Sequence, residues 1–242
     1  MKKYKVYPLL ISRIFADIGT FNYANYSGQK KWYPIFSFLI QGDGRNILVD
    51  SGCVAEEMAA ISALTAGYED VQPLEEALKK KGVAMEDIKE VIHTHLHSDH
   101  YLNSKKLPQA TFWVQEKELA FALNPHPFFF RSFNRTRYEG MKFKTIKGDS
   151  PFAEGIDILS TPGHTAGTQS VQIETEQGKV VIAGFCSIPE NFTPPDKGLD
   201  VIPPGFHLDL LQSYDSVLRI KNMKAIIIPL HDPNLAENET IF

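Results

Sequence analysis

Thr94-His95-Leu96-His97-Ser98-Asp99-His100 packs three histidines and one aspartate into six residues, directly after the apolar pair Val91-Ile92. Val91 to Thr94 reads as the end of a buried strand and the histidines as the loop it delivers. Loops at the ends of rigid strands are where sites are usually built. Imidazole is the commonest protein ligand for metals at neutral pH, and carboxylate suits the same ions. In an extended segment His95 and His97 point to one side. A bend after them aims Asp99 and His100 at a second point nearby. One strand end can thus serve two metal ions, which in two-metal sites sit about 3.5–4 Å apart. The other reading of such a stretch, a solvated His-rich turn, does not call for four donors behind a strand. His93 shares the parity of His95 but falls within the strand, which favours a packing or supporting role.

Outward from this stretch the chain alternates strands and helices. Val6 to Ile11 reads as a strand. Gly19 to Lys31 reads as an aromatic-studded loop, either a plain surface connection or a flap with Tyr23 and Tyr26 as substrate contacts. Trp32 to Ile40 and Asn46 to Val49 read as paired strands around the turn residues Gln41 to Arg45. Cys53 to Ala66 looks helical. Pro73 to Lys81 is a helix stopped by Gly82, with Glu75-Glu76 and Lys79 to Lys81 placed to suit its dipole. Thr111 to Val114 is a strand and Glu116 to Leu123 a helix. Two prolines around His126 forbid a long helix next, and His126 is not expected to bind metal. Phe128, Phe129, Phe130 and Phe133 form either core, an apolar wall of a substrate groove, or a subunit contact.

Lys142 to Ile146 and Ile156 to Leu159 read as strands, and Gln169 to Ile173 with Lys179 to Ala183 as a hairpin. Pro189 to Pro204 is proline-rich and irregular, a candidate site-lining loop. Asp209 to Ile220 is an amphipathic helix, and Ala225 to Ile228 is a buried strand running into Pro229-Leu230-His231. No linker or short repeat interrupts residues 1–242, so a single α/β or α+β layered domain is expected.

His-x-His-x-Asp-His at 95–100 resembles the signature of the metallo-β-lactamase superfamily, and within it the N-acyl homoserine lactonases. The resemblance runs nearly the whole chain. It includes Ile47 to Gly52, then Thr161-Pro162-Gly163-His164-Thr165, and finally Pro229-Leu230-His231-Asp232. It implies a four-layer αββα sandwich with a two-metal site at one edge of the sheets. The first metal would take His95, His97 and His164, and the second Asp99, His100 and His231. Asp50 would be structural, beneath the metal loop. Zinc is the expected ion, with iron or manganese as alternatives. One departure stands out. Relatives carry a bridging Asp where this chain reads Ile182-Ala183-Gly184-Phe185-Cys186-Ser187, with Gly184 or Phe185 at the Asp position. Cys186 follows closely, and it is carried as a candidate metal ligand, because a thiolate binds zinc well and some β-lactamases of the superfamily use a Cys there. The lactonases also use a Tyr nearby as proton donor. Ser187 occupies the matching region, which passes that task to another group such as Tyr101 or Tyr138.

The resemblance implies a hydrolase that opens an acyl lactone or related ester. Ions of this kind bring the pKa of a bound water to about 7 and so supply hydroxide, which Asp99 would orient toward the carbonyl. Tyr23, Tyr101, Phe128 and Phe129 are candidate substrate contacts. The alternatives are a thioester hydrolase of the glyoxalase II type, with Arg131, Arg135 and Arg137 as anchors for carboxylates, an iron persulfide dioxygenase, and a non-catalytic metal-binding descendant.

Composition narrows this further. A chain of 242 residues, 43% hydrophobic, can bury an ample core. A net charge of −4 with scattered basic residues lacks the footprint of a phosphate-backbone binder, so no nucleic-acid partner is expected. Two cysteines make no disulfide framework. Arg13 and Asp17 interrupt the first apolar run, so no signal peptide or membrane partner is expected and a cytoplasmic location is the default. The expected partner is a small acyl substrate, with a homodimer as a further possibility.

Overall fold

Alternation builds the frame. In a computed structural model of the chain, which describes residues 2–61, 67–133, 135–194, 198–237 and 242, strand residues of opposite parity feed different layers. The first half contains β1 (Lys5–Asp17), β2 (Lys30–Gly42), β3 (Arg45–Val49), α1 (Ala55–Ile61), β4 (Gly67–Asp70), α2 (Leu74–Lys79), β5 (Glu90–Ile92), α3 (Ser98–Tyr101), β6 (Thr111–Gln115), α4 (Glu116–Leu123) and β7 (Lys142–Ile146). The second contains β8 (Ser150–Ala153), β9 (Ile156–Ser160), β10 (Gln169–Thr175), β11 (Gly178–Ala183), α5 (Leu210–Lys221), β12 (Ile226–Pro229) and α6 (Pro233–Glu237).

The strands form a seven-stranded sheet, β4-β1-β2-β3-β5-β6-β7, and a five-stranded sheet, β12-β11-β10-β9-β8. Phe36, Phe38 and Ile40 of β2, Ile47 and Val49 of β3 and Ile92 of β5 meet Ile158, Val171, Ile173, Val180 and Ile182 between the sheets. The residues of opposite parity, Leu39, Leu48 and Val91, pack instead on Leu74, Ala77 and Leu78 of α2. On the far side Val181 and Ala183 pack on Val217 and Ile220 of α5. The layers are therefore α2, sheet, sheet, α5, the expected αββα sandwich. Each fully buried aliphatic side chain in these layers contributes about 1.5–3 kcal/mol.

The β2–β3 turn, Asp43-Gly44, has φ of 52° and 70°, the doubly positive geometry favoured in two-residue hairpins. Several boundaries differ from the sequence reading. β1 runs on to Asp17 with a register shift between Leu10 and Ser12, and the short edge strands β4 and β8 are additions. The helix expected at Cys53 to Ala66 is present as Ala55–Ile61, and residues 62–66 lie outside the described residues. The same holds for residues 195–197 of the proline-rich loop. β5 ends at Ile92, so His93 and Thr94 already belong to the loop. No helix among the described residues is long and apolar enough to cross a membrane.

Candidate metal centre

β3 and β5 run parallel and release their chains at the same sheet edge, so Asp50 comes to lie under the histidine loop. Its φ is 57°, a left-handed conformation that Asp tolerates better than most residues. The buried carboxylate accepts from Thr94 N (2.8 Å), Thr94 Oγ1 (2.7 Å) and His100 Nδ1 (2.9 Å). Burial alone would raise its pKa, but His100 and His93 outweigh that and hold it below the usual carboxylate range.

The other histidines are anchored by backbone carbonyls. His95 Nδ1–H donates to Gly184 O (3.1 Å), His164 Nδ1–H to Phe206 O (2.6 Å) and His231 Nδ1–H to Pro34 O (2.9 Å). A carbonyl only accepts, so each of these bonds places the proton on Nδ1 and leaves the Nε2 lone pair aimed inward. Among the described residues His97 has no such anchor, and it packs instead against the rings of Phe133 and Phe206, at 5.0 and 5.3 Å. The turn that delivers His164 is pinned by α5. A Cβ on Gly163, whose φ is 121°, would stand 2.2 Å from Ser213 N, so only glycine admits this approach.

Two groups of donors result. The ligand atoms of His95, His97 and His164 lie within 4.8 Å of one another, and so do those of Asp99, His100 and His231. His95 Nε2 and His164 Nε2 are 3.2 Å apart. His100 Nε2 and His231 Nε2 are buried without a hydrogen-bond partner, although the Asp99 carboxylate stands 3.3 Å from the former. Buried orphan nitrogens of this kind cost free energy unless something binds them. Inward-facing imidazoles with one carboxylate fit divalent transition ions.

Electrostatics divides the groups. Burial lowers His95 and His164 well below the ordinary imidazole value. Burial takes His97 to about 4, and burial together with His100 takes His231 to about 4, so all four are neutral and ready to ligate. Burial also opposes charge on His100, but Asp99 and Asp50 prevail and raise it to about 10. Asp99 gains from the same pairing and is held well below the usual carboxylate range. The two carboxylates thus favour the imidazolium form of His100, and an ion held by the second group would take the place of its Nε2 proton.

A cavity of about 580 Å³, counting its open mouth, lies over both groups. Ile14, Phe21, Met58, Tyr68 and Phe206 form its apolar wall, and Arg131 stands among its lining residues. The apolar residues come from distant segments and carry no local sequence signal, whereas Arg131 is one of the three arginines the sequence offered as anchors. Cys186 lines the same cavity but its sulfur joins neither donor group, and burial pushes its thiol well above the ordinary value. Gly184 admits no side chain, since a Cβ there would stand 1.7 Å from Gln169 O. Phe185 points into the α5 layer, so neither position offers a bridging group.

The expected substrate contacts fall elsewhere. Tyr23 is largely exposed and its ring meets His207 at 5.4 Å, and the loop reaches the cavity through Thr20 and Phe21 instead. Tyr101 is fully buried in the core below the loop, ring to ring with Tyr138 at 5.0 Å. Tyr138 donates to Leu96 O (3.1 Å), so neither tyrosine faces the cavity. Phe128 is 78% exposed and Phe129 packs on Phe121 at 5.9 Å; neither lines the cavity. Ser187 is buried, donating to Ala183 O and accepting from Leu230 N. His93 bonds Ser104 Oγ (3.0 Å) and stacks on Phe112 at 5.6 Å, the packing role expected of it. His126 caps its own turn by accepting from Phe128 N.

An αββα sandwich that gathers two three-residue donor groups at one edge of its sheets, under an apolar cavity, is the arrangement expected of a metal-dependent hydrolase. The chain belongs to the metallo-β-lactamase superfamily, whose model matches residues 31–230. It is 28% identical over 242 residues to the N-acyl homoserine lactonase AiiA of Bacillus thuringiensis subsp. kurstaki, covering 94% of this chain and 93% of the relative. It is 25% identical over 225 residues to the N-acyl homoserine lactonase AttM of Rhizobium radiobacter, covering 85% of this chain and 84% of that one. A crystal structure of an AiiA variant from B. thuringiensis with N-decanoyl-L-homoserine at its active site matches with a TM-score of 0.79 at 26% identity. That match covers 98% of this chain and 96% of the other. An N-acyl homoserine lactone hydrolase with N-hexanoyl-L-homoserine bound at its catalytic metal center matches with the same score, identity and coverage.

Proposed function

We propose that this chain opens the ester of an N-acyl homoserine lactone or a closely similar acyl lactone, at two divalent ions held by His95, His97, His164 and by Asp99, His100, His231. One observation carries the reading: two groups of inward-facing donors lie under an apolar cavity that suits an acyl chain. Zinc is the ion we assign, since neutral imidazoles with a carboxylate suit it. Bound there, the ions would polarise a carbonyl and supply hydroxide at neutral pH.

The chain does the rest. Asp99, ionised throughout the working range, accepts a hydrogen bond from the attacking water and fixes its direction. Asp50 and the carbonyls of Gly184, Phe206 and Pro34 hold the imidazoles in the ligating tautomer. Ile14, Phe21 and Met58 exclude water from the acyl chain. Opening a signal lactone in this way would quench the signal, which is the biological sense of the proposal. Asp99→Asn should lower turnover by about 10²–10⁴-fold while leaving the fold intact by circular dichroism. Unchanged turnover in that variant removes the assignment.

One observation favours a second reading. Arg131 lines the cavity together with the donor groups, which suits an acyl thioester bearing a carboxylate. A thioester cleaved at least tenfold faster than any lactone would select it.

A further inference from the structure

The sequence marks Glu118 only as a charged residue near the start of the helix expected at Glu116 to Leu123. In the structure it is fully buried. It is the third residue of α4, and its carboxylate reaches under the donor loops without touching a cation. One oxygen, Oε1, accepts from Leu96 N at 2.8 Å. The other, Oε2, accepts from Thr165 Oγ1 at 2.6 Å and Gly167 N at 2.9 Å. Leu96 lies between His95 and His97, and Thr165 follows His164. A single side chain therefore grips both loops that carry the first donor group.

The surrounding packing makes this grip specific. The Leu96 carbonyl accepts from Tyr138, so the peptide groups on both sides of Leu96 are held. Thr165 N and Oγ1 also bond Thr168 Oγ1, which closes the second loop on itself. A Cβ on Gly167 would stand 2.4 Å from Glu118 N, so this loop lies directly on the start of α4. The first turn of a helix favours negative charge, and three donors meet the carboxylate's lone pairs. A buried carboxylate is costly unless fully bonded. Nothing in the sandwich core requires one here, since Ala122 on the same helix serves the apolar packing.

We propose that Glu118 is a positioning residue that sets the spacing of His95, His97 and His164, and so fixes the affinity and geometry of the first metal position. This rests on the metal reading above. Partners in the second layer around ligands typically govern 10–100-fold in metal affinity. Loss of the Glu118 bonds should therefore weaken the first position by that factor and leave the second nearly unchanged.

The test measures zinc affinity by competition with a chromophoric chelator, and the visible absorption of the cobalt-loaded full chain. Both are done in a His100→Ala background, which isolates the first group. Glu118→Gln keeps one acceptor oxygen and should lose about tenfold in affinity, with a shifted cobalt spectrum. Thr165→Val removes the hydroxyl that bonds Glu118 and Thr168 and should lose a few-fold. Glu116→Gln, an exposed change on the same helix, serves as control and should match the parent. With His100 restored, Glu118→Gln should lower kcat with little change in KM. Parent-like zinc affinity and cobalt spectra in both Glu118→Gln and Thr165→Val overturn this proposal alone. A wild-type chain that binds neither metal overturns the metal reading and this proposal with it.

Discussion

Gly184→Asp is the substitution that the family resemblance invites, because Gly184 is one of the two positions at which a bridging carboxylate is expected. The structure predicts the opposite of a repair. A Cβ at 184 would stand 1.7 Å from Gln169 O and 2.7 Å from Gln169 C, so the backbone must move by more than an ångström. Three bonds depend on its present course: Gly184 N to Ser170 Oγ (3.0 Å), His95 Nδ1 to Gly184 O (3.1 Å) and Gln169 N to Thr94 O (2.8 Å). Overpacking costs about 1–3 kcal/mol, and three weakened bonds add about 1 kcal/mol each. The sum is about 4–6 kcal/mol, a large part of the 5–15 kcal/mol that typically holds a domain. Urea unfolding of the metal-free protein measures it, with Gly184→Ala to separate the clash from the new charge. Both variants should be destabilised alike, and zinc affinity should fall because His95 loses its anchor. A Gly184→Asp protein within 1 kcal/mol of wild type that binds zinc more tightly would refute the steric reasoning.

Three other outcomes follow from the same geometry. Asp50→Ala should cost the metal-free protein about 3–5 kcal/mol, the range for breaking a buried charged pair, while Asp50→Asn should cost less because Asn tolerates the left-handed backbone; equal urea midpoints for the two would contradict this. Cys186→Ser should leave zinc stoichiometry unchanged by elemental analysis, since the sulfur stands outside both donor groups; loss of one zinc per chain would show that it ligates. Arg219 bonds the Asp149 carboxylate bidentately and holds its pKa below the usual value. That stabilisation is present above the unfolded value of 3.8 and is lost as pH falls through the folded one. The gap between wild type and Arg219→Ala, at most about 1 kcal/mol for so exposed a pair, should therefore hold above pH 3.8 and shrink steadily as pH falls below it in urea titrations of metal-free protein.

Much of the centre was legible because its donors sit in short motifs at strand ends. His95 to His100, His164 and His231 all fall where the sequence places them, and strand alternation gives the layers. The rest depends on contacts between distant segments. Glu118 differs from Glu116 only in the face of α4 it occupies. Tyr101 reads as a cavity residue because it follows the motif, yet the first turn of α3 carries it inward. Phe21, Met58 and Phe206 reach the cavity from three separate loops and elements. β4 and β8 are four residues long, one strongly polar and the other holding a proline, too short for periodicity to reveal. Gly184 and Phe185 are equal candidates for the aspartate position in the sequence, and nothing local shows that the approach of Gln169 O closes Gly184 to any side chain.

The most direct test of the account is proton release by pH-stat when zinc-loaded protein meets a medium-chain N-acyl homoserine lactone, with His100→Ala beside it. Manganese- and iron-loaded protein serve as parallel samples. The account predicts catalytic release by the wild type that the His100→Ala variant loses by at least a hundredfold. No release from any metal form, despite two bound ions per chain, would contradict it.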